Sequence, residues 1–296
     1  MASVARIEDE AVSFRRIRRP ERSHADPQGL SAFRTRASVD YDRSLSMLIE
    51  GEIIPRLMIA HAADTPSVST PGVDPEEIAV LAPLALQVEA DALLAHIEAV
   101  LARGVTVDTV MVDLLAPAAR MLGEWWEDDR CDFIDVTMGL WRLQEVVHEI
   151  AARSPADRLL TVGGHRALFA SMPGDQHSFG TVVVDEVFRR DGWVTDRMSG
   201  PQTSELVRRV GDEWFDLVGL TVSCDSHLST LTSVIAALRN VSRNPRVCIM
   251  VGGRTFSADP GLAAEVGADG TAGDARRALK VAADLVRVRE GAALGG

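Results

Sequence analysis

The residue with the most open chemistry in this chain is a histidine, His177. It stands in the run Gly174-Asp175-Gln176-His177-Ser178-Phe179-Gly180, directly after an apolar stretch from Ala167 to Met172. An imidazole nitrogen is a good ligand for transition metals, cobalt among them. An acid two residues earlier is placed to hold the other ring nitrogen, which fixes the tautomer and raises the basicity of the free one. Gly180 leaves the following segment free to pack close to a bulky ligand. The same residues also fit a plain loop in which Asp175 and His177 only cap a helix. His165 and His227 are the other nearby imidazoles. His165 precedes the apolar stretch and is expected at the opposite edge.

Three more groups stand at the ends of apolar runs. They are Thr221-Val222-Ser223-Cys224-Asp225, Gly252-Gly253 and Gly270-Thr271-Ala272-Gly273. Small hydroxyl residues and glycines there would let a large ligand lie against the backbone, although each group alone is common in α/β domains. Cys131, Cys224 and Cys248 lack CxxC spacing, so neither a disulfide framework nor a zinc site is expected. No second set of acid, base or nucleophile accompanies His177, and the expectation is a protein that is not an enzyme.

The elements that must position these groups fall into two kinds. From Trp193 to Met198, Leu217 to Val222, Val247 to Val251 and, weakly, Gly267 to Thr271, apolar runs typical of buried parallel strands follow the first one at 167–172. Helices fit between and after them at about 178–190, 202–213, 227–240, 258–266 and 274–288. The reading is a Rossmann-like, five-stranded parallel sheet over 160–290, which binds ligands at the carboxyl ends of its strands. Upstream, 40–155 reads as a helical bundle. Its pieces are an apolar stretch Leu45 to Ile59 with Pro55 as a kink, and a loop from Asp64 to Pro75. There follow a stripe Leu86, Ala90, Leu93, Leu94, Ile97, Leu101 ending at Gly104, a helix capped by Asp108, and another from Ile134 to Ala152. Residues 1–38 hold eight arginines and few apolar side chains, and read as a solvated tail or an arm for an acidic partner.

The 296 residues carry a net charge of −12, which disfavours direct binding to DNA. No secretory signal or membrane span is visible, so a cytoplasmic location is expected.

Taken together, Asp-x-His-x-x-Gly, the serine at 223 and Gly252-Gly253 resemble the cobalamin-binding domain of methionine synthase and corrinoid proteins, over roughly 165–290. That resemblance implies His177 as the lower ligand of cobalt and Asp175 as its orienter. It implies Ser223, Thr221, Gly252, Gly253 and Thr271 along the slot for the displaced nucleotide tail, Ser229 as a hydroxyl supporting Asp175, and Gly180 beside the ligand. Asp225 stands where the family has Leu. Met121-Leu122-Gly123-Glu124-Trp125-Trp126 resembles the helical cap of that domain, implying Trp125 and Trp126 over the corrin. The chain further resembles the PpaA/AerR-type antirepressors of purple photosynthetic bacteria, through Glu52 to Met58, Gly123 to Trp126 and Gly219 to Leu228. It is thereby expected to be a cobalamin-dependent, light- or redox-responsive regulator acting through a repressor of the PpsR/CrtJ type. Hydroxo- or adenosylcobalamin is the implied cofactor, with haem as an alternative, and a corrinoid methyl carrier is the competing function. In the adenosylcobalamin-dependent light-sensing repressors a Trp is followed further along by Glu-His. The corresponding residues here, Asp135-Val136 or Val136-Thr137, supply neither, so an upper face open to water or a small ligand is expected.

Overall fold

The structure is a computed structural model, in which residues 72–154, 164–175 and 177–294 are described. The 1–38 segment, the 45–59 stretch with the Glu52–Met58 likeness, and most of the 64–75 loop lie outside the described residues.

Among the described residues, five α-helices and a π-helical stretch precede the sheet. Helix α1 (Pro75–Gln87) starts with Pro75 in its first turn and a capping box between Asp74 and Glu77. Its existence corrects the sequence reading, which had one helix carrying Leu86 and Leu101 together. The chain is extended at Val88 and Glu89, and α2 (Ala90–Ala102) begins afresh. Leu93, Leu94, Ile97 and Val100 are its buried side chains, and Gly104 follows its end at φ 89°. Next comes a single turn, α3 (Val107–Thr109), whose cap is Thr106, accepting from the Thr109 N–H. Asp108 was expected in that role. It lies inside the turn instead and pairs with Arg190 at 2.7 Å. The chain then winds through a π-helical stretch (Val110–Leu115) into α4 (Ala116–Glu127). Pro117 has no N–H to give to the Asp113 carbonyl, and the turn before it takes the wider register, with Ala116 N–H donating to Met111. Helix α5 (Phe133–Arg153) opens on an Asp132–Asp135 capping box.

The sheet is parallel throughout, in the order β2-β1-β3-β4-β5. Its strands are β1 (Arg166–Ser171), β2 (Val194–Met198), β3 (Leu217–Thr221), β4 (Cys248–Gly252) and β5 (Gly270–Thr271). Alternation along β1 decides the layers, since Ala167 and Phe169 face one side and Leu168 and Ala170 the other. On the first side Phe188 of α6 (Phe179–Arg190) and Ala282 and Val286 of α11 (Ala275–Leu294) complete the core. On the second, α7 (Thr203–Asp212) and α8 (Leu228–Val241) supply Leu206, Val210, Leu231 and Leu238. The helix expected over 258–266 is two short ones, α9 (Arg254–Ala258) and α10 (Leu262–Glu265), interrupted at Pro260-Gly261.

The helical layer is not separate from this sandwich. Val182, Val183 and Val187 of α6 belong to the same buried cluster as Leu81, Ile97, Leu114 and Leu143, and the described residues form one compact unit. Among the described residues no helix is long and apolar enough to cross a membrane.

Candidate functional site

Strand order reverses between β1 and β3, and a sheet of this kind opens its ligand crevice there, at the carboxyl ends. The loop after β1 carries Asp175 and His177, and the loop after β3 carries Ser223. A single carboxylate joins them. Asp175 is 2% exposed. Its Oδ2 accepts the Ser223 backbone N–H at 2.8 Å, while Oδ1 accepts the His177 backbone N–H at 3.0 Å and lies 2.6 Å from His177 Nδ1. Burial alone would raise this carboxyl, but the three hydrogen bonds outweigh it and hold it down at about 2. The same Asp175 hydrogen bond pushes the imidazole of His177 up, against the opposing effect of burial.

Fixing Nδ1 turns Nε2 away from the carboxylate, on a side chain that is 56% exposed. The ring is therefore oriented, and its ligating nitrogen is available. Among the described residues no three His, Cys, Asp or Glu side chains cluster to hold a free ion. One imidazole alone suits a metal whose other positions are filled by a macrocycle.

Space for such a group lies along the same edge. A Cβ built on Gly180, Gly252 or Gly273 would meet nothing within 4 Å. Thr271 Oγ1 is buried with no hydrogen-bond partner, a cost that a ligand's polar group would remove. Thr221 is already engaged, its hydroxyl lying 2.9 Å from that of Thr181. Gly253 serves a different purpose from the one expected of it. It sits at φ 121°, and a Cβ there would come within 2.0 Å of the Val222 carbonyl oxygen, so the residue is a glycine because two strand ends crowd together.

Other expected residues divide. Ser229 is exposed and has no described bond to Asp175, whose support is the Ser223 N–H instead. Trp125 packs against the helical core with the Arg130 guanidinium 4.5 Å above its ring, whereas Trp126 is 46% exposed. Val136 is buried in the core, and Thr137, exposed, donates its hydroxyl to its own helix at Phe133 O. His165 lies at the amino edge, 3.7 Å from Glu290 and 4.0 Å from Asp216. His227 shares the carboxyl edge, since a Cβ on Gly174 would stand 3.6 Å from its Cε1.

Three contributors were missed. Gln144 of α5 accepts from the Ser178 hydroxyl at 3.2 Å, tying the helical layer to the residue after His177. Thr255 donates to Asp225 at 2.6 Å, joining the segment after β3 to the first turn of α9. Arg254, next to Gly253, grips both carboxylate oxygens of Glu127 at the end of α4 at 2.5 Å. Each pair is far apart in sequence, and nothing local marks it.

An oriented, single-imidazole site at the switch point of a 2-1-3-4-5 sheet, beneath a helical layer, narrows the choice of families. Residues 165–283 match the B12 binding domain. The matched stretch runs from just before β1 into α11, with His177 on its first loop. A protein of Rhodobacter capsulatus, described as an uncharacterized 20.5 kDa protein in the bchF-crtJ intergenic region, is 28% identical over 165 residues, 56% of this chain and 85% of that one. Both findings bear out the resemblance read from the motifs. Among solved structures, the monomethylamine corrinoid protein of Methanosarcina barkeri superposes with a TM-score of 0.59 at 17% identity, covering 72% of this chain and all of that one. At that identity the likeness concerns the fold, and it includes the helical layer.

Proposed function

We propose that this chain is a cobalamin-dependent regulator that acts through a DNA-binding repressor protein rather than by catalysis. The observation that carries the cofactor half is the Asp175–His177 pair, buried acid and exposed imidazole, at the switch point of a B12-binding domain. His177 Nε2 would ligate the cobalt, and the bound cofactor would supply a metal centre able to exchange a ligand. Asp175 holds the imidazole as a fixed, basic ligand. Gly180, Gly252, Gly273 and Thr271 leave room and one unpaired hydroxyl for the nucleotide tail. Thr137, turned onto its own helix, offers the upper side no strong ligand. The regulatory half rests on the relative from the bchF-crtJ region and on the Gln144–Ser178 contact, through which occupancy of the His177 loop would bias the helical layer.

Absorption spectra of the purified chain with hydroxocobalamin and with adenosylcobalamin, in darkness and after illumination, test the reading. Binding of hydroxocobalamin at least as tight as that of the adenosyl form is expected. The spectrum should shift, and affinity should fall about 10- to 100-fold, in His177→Ala. An unchanged spectrum and affinity in that variant would remove His177 as ligand. A Soret band on adding haem, with no cobalamin uptake, would replace the cofactor, and methyl transfer from a simple donor to a thiol well above free cobalamin would make the chain a methyl carrier.

A further inference from the structure

A small cavity lies where the helical layer meets two helices of the sheet layer. Its charged wall is Asp108 of α3, Arg190 and Asp191 at the end of α6, and Arg276 in the first turn of α11. Val112, Val187 and Leu279 supply the apolar part. It holds about 110 Å³, less than the roughly 150 Å³ that accepts a benzene ring, so it suits a ligand of very few heavy atoms. None of Gly180, Gly252, Gly273 or Thr271 lines it, which sets it apart from the slot at the strand ends.

The charges on that wall do not balance. Arg190, 17% exposed, donates to Asp108 at 2.7 Å and to the Ser154 carbonyl at 2.7 Å. Arg276 is held by Asp113 at 3.0 Å, and Arg189, the other cation in the last turn of α6, by Glu186. Among the described residues no cation and no donor reaches the Asp191 carboxylate. That acid also caps the carboxyl end of α6, the negative end of the helix dipole, where a cation is favoured and an acid is not. Burial and the charge of Asp108 push its carboxyl up from the ordinary value. A cation beside Asp191 would relieve the unpaired charge, the dipole and the repulsion together. The apolar side chains favour one with an alkyl portion over a metal ion, for which no three ligating side chains converge among the described residues.

We propose that this cavity binds a small organic cation, a primary alkylammonium or alkylguanidinium of at most about four carbons, paired with Asp191 and lying on Val112, Val187 and Leu279. The site is independent of the cobalamin reading, since it shares no residue with the His177 loop.

The test is a titration of n-butylammonium chloride into the full chain carrying labelled Val and Leu methyl groups, followed by NMR, with sodium chloride at equal ionic strength as the blank. The methyl resonances of Val112, Val187 and Leu279 should shift saturably, with a millimolar dissociation constant. Asp191→Asn should weaken binding about fivefold or more. Because Asp191 has no partner to lose, the same variant should melt no lower than the parent. Asp284→Asn, which removes an exposed acid elsewhere on α11, should leave binding unchanged. The inference is overturned if those three residues do not shift, if Asp191→Asn binds like the parent, or if Asp284→Asn weakens binding as much. Equal binding of n-butanol would show an apolar cavity indifferent to charge. Tighter binding of γ-aminobutyrate than of n-butylammonium would assign the site to a zwitterion read by Arg276. Either result rejects the cation site, and neither bears on cobalamin binding.

Discussion

At the scale of single residues, Asp175 does two jobs: it joins the loops after β1 and β3, and it orients His177. Its carboxyl is held at about 2 instead of 3.8, so it contributes stability that is complete above about pH 4 and lost as pH falls through the interval down to 2. In the cofactor-free protein, Asp175→Asn should therefore lower stability by roughly 2 kcal/mol at neutral pH, with the gap to the parent narrowing toward pH 2. Urea melts at several pH values check this, and a gap that does not change with pH would show that the charge is not what matters. The neighbouring glycines give a contrasting pair. Gly253→Ala must push the Val222 carbonyl aside and should destabilise by roughly 3 kcal/mol or more. Gly252→Ala meets open space, so its melting temperature should stay put while cobalamin affinity drops. The Asp-x-His spacing was legible in sequence because both residues act within one loop. The Ser223 support of Asp175 and the reason for Gly253 were not, since a backbone N–H from the loop after β3 and a close carbonyl leave no trace in residue type.

At the scale of elements, β1, β3 and β4 were readable nearly to the residue, because each is buried along almost its whole length and its apolar run has sharp ends, whereas the half-exposed edge strand β5 was expected from Gly267 and spans only Gly270–Thr271. Helix ends were less so. The Leu86-to-Leu101 stripe crossed an extended break at Val88-Glu89 that happens to preserve apolar spacing, and Pro75 read as a loop residue although it is well suited to a helix's first turn. Asp108 and Thr106 are both acceptable caps by type. Geometry chose Thr106, whose Oγ1 lies 3.1 Å from the Thr109 N–H. Thr106→Ala should cost about 1 kcal/mol in thermal unfolding, whereas Asp108→Asn, losing only a half-exposed pair with Arg190, should cost under about 0.5 kcal/mol. The reverse ranking would return the cap to Asp108.

At the scale of the whole molecule, the division into a bundle over 40–155 and a sheet domain over 160–290 understates how closely the two are joined. Val182, Val183 and Val187 of α6 are buried in the helical layer's core, and Ala275 and Leu279 of α11 pack against it. Sequence patterning places a helix at about 178–190 but does not say which neighbours its apolar side chains take. Residues 160–290 expressed alone should expose those three valines, bind a hydrophobic dye and melt well below the full chain. A fragment as stable as the parent would mean the layers are independent.

The bond between Arg254 and Glu127 has a consequence in time. It spans from the last turn of α4 to the start of α9, two residues beyond Gly252, so a large molecule entering between the helical layer and the strand ends by this route would part it. Its guanidinium and carboxylate are 65% and 45% exposed, which makes it worth little at equilibrium. Its influence belongs to the rates of entry and escape. Stopped-flow loading of hydroxocobalamin should quicken with added salt, and Arg254→Gln should speed association and dissociation together, leaving the dissociation constant within about threefold. Equal rates in parent and variant would mean the cofactor passes by another way. If the rates do rise, the pair sets how long a loaded molecule remembers the conditions under which it was filled.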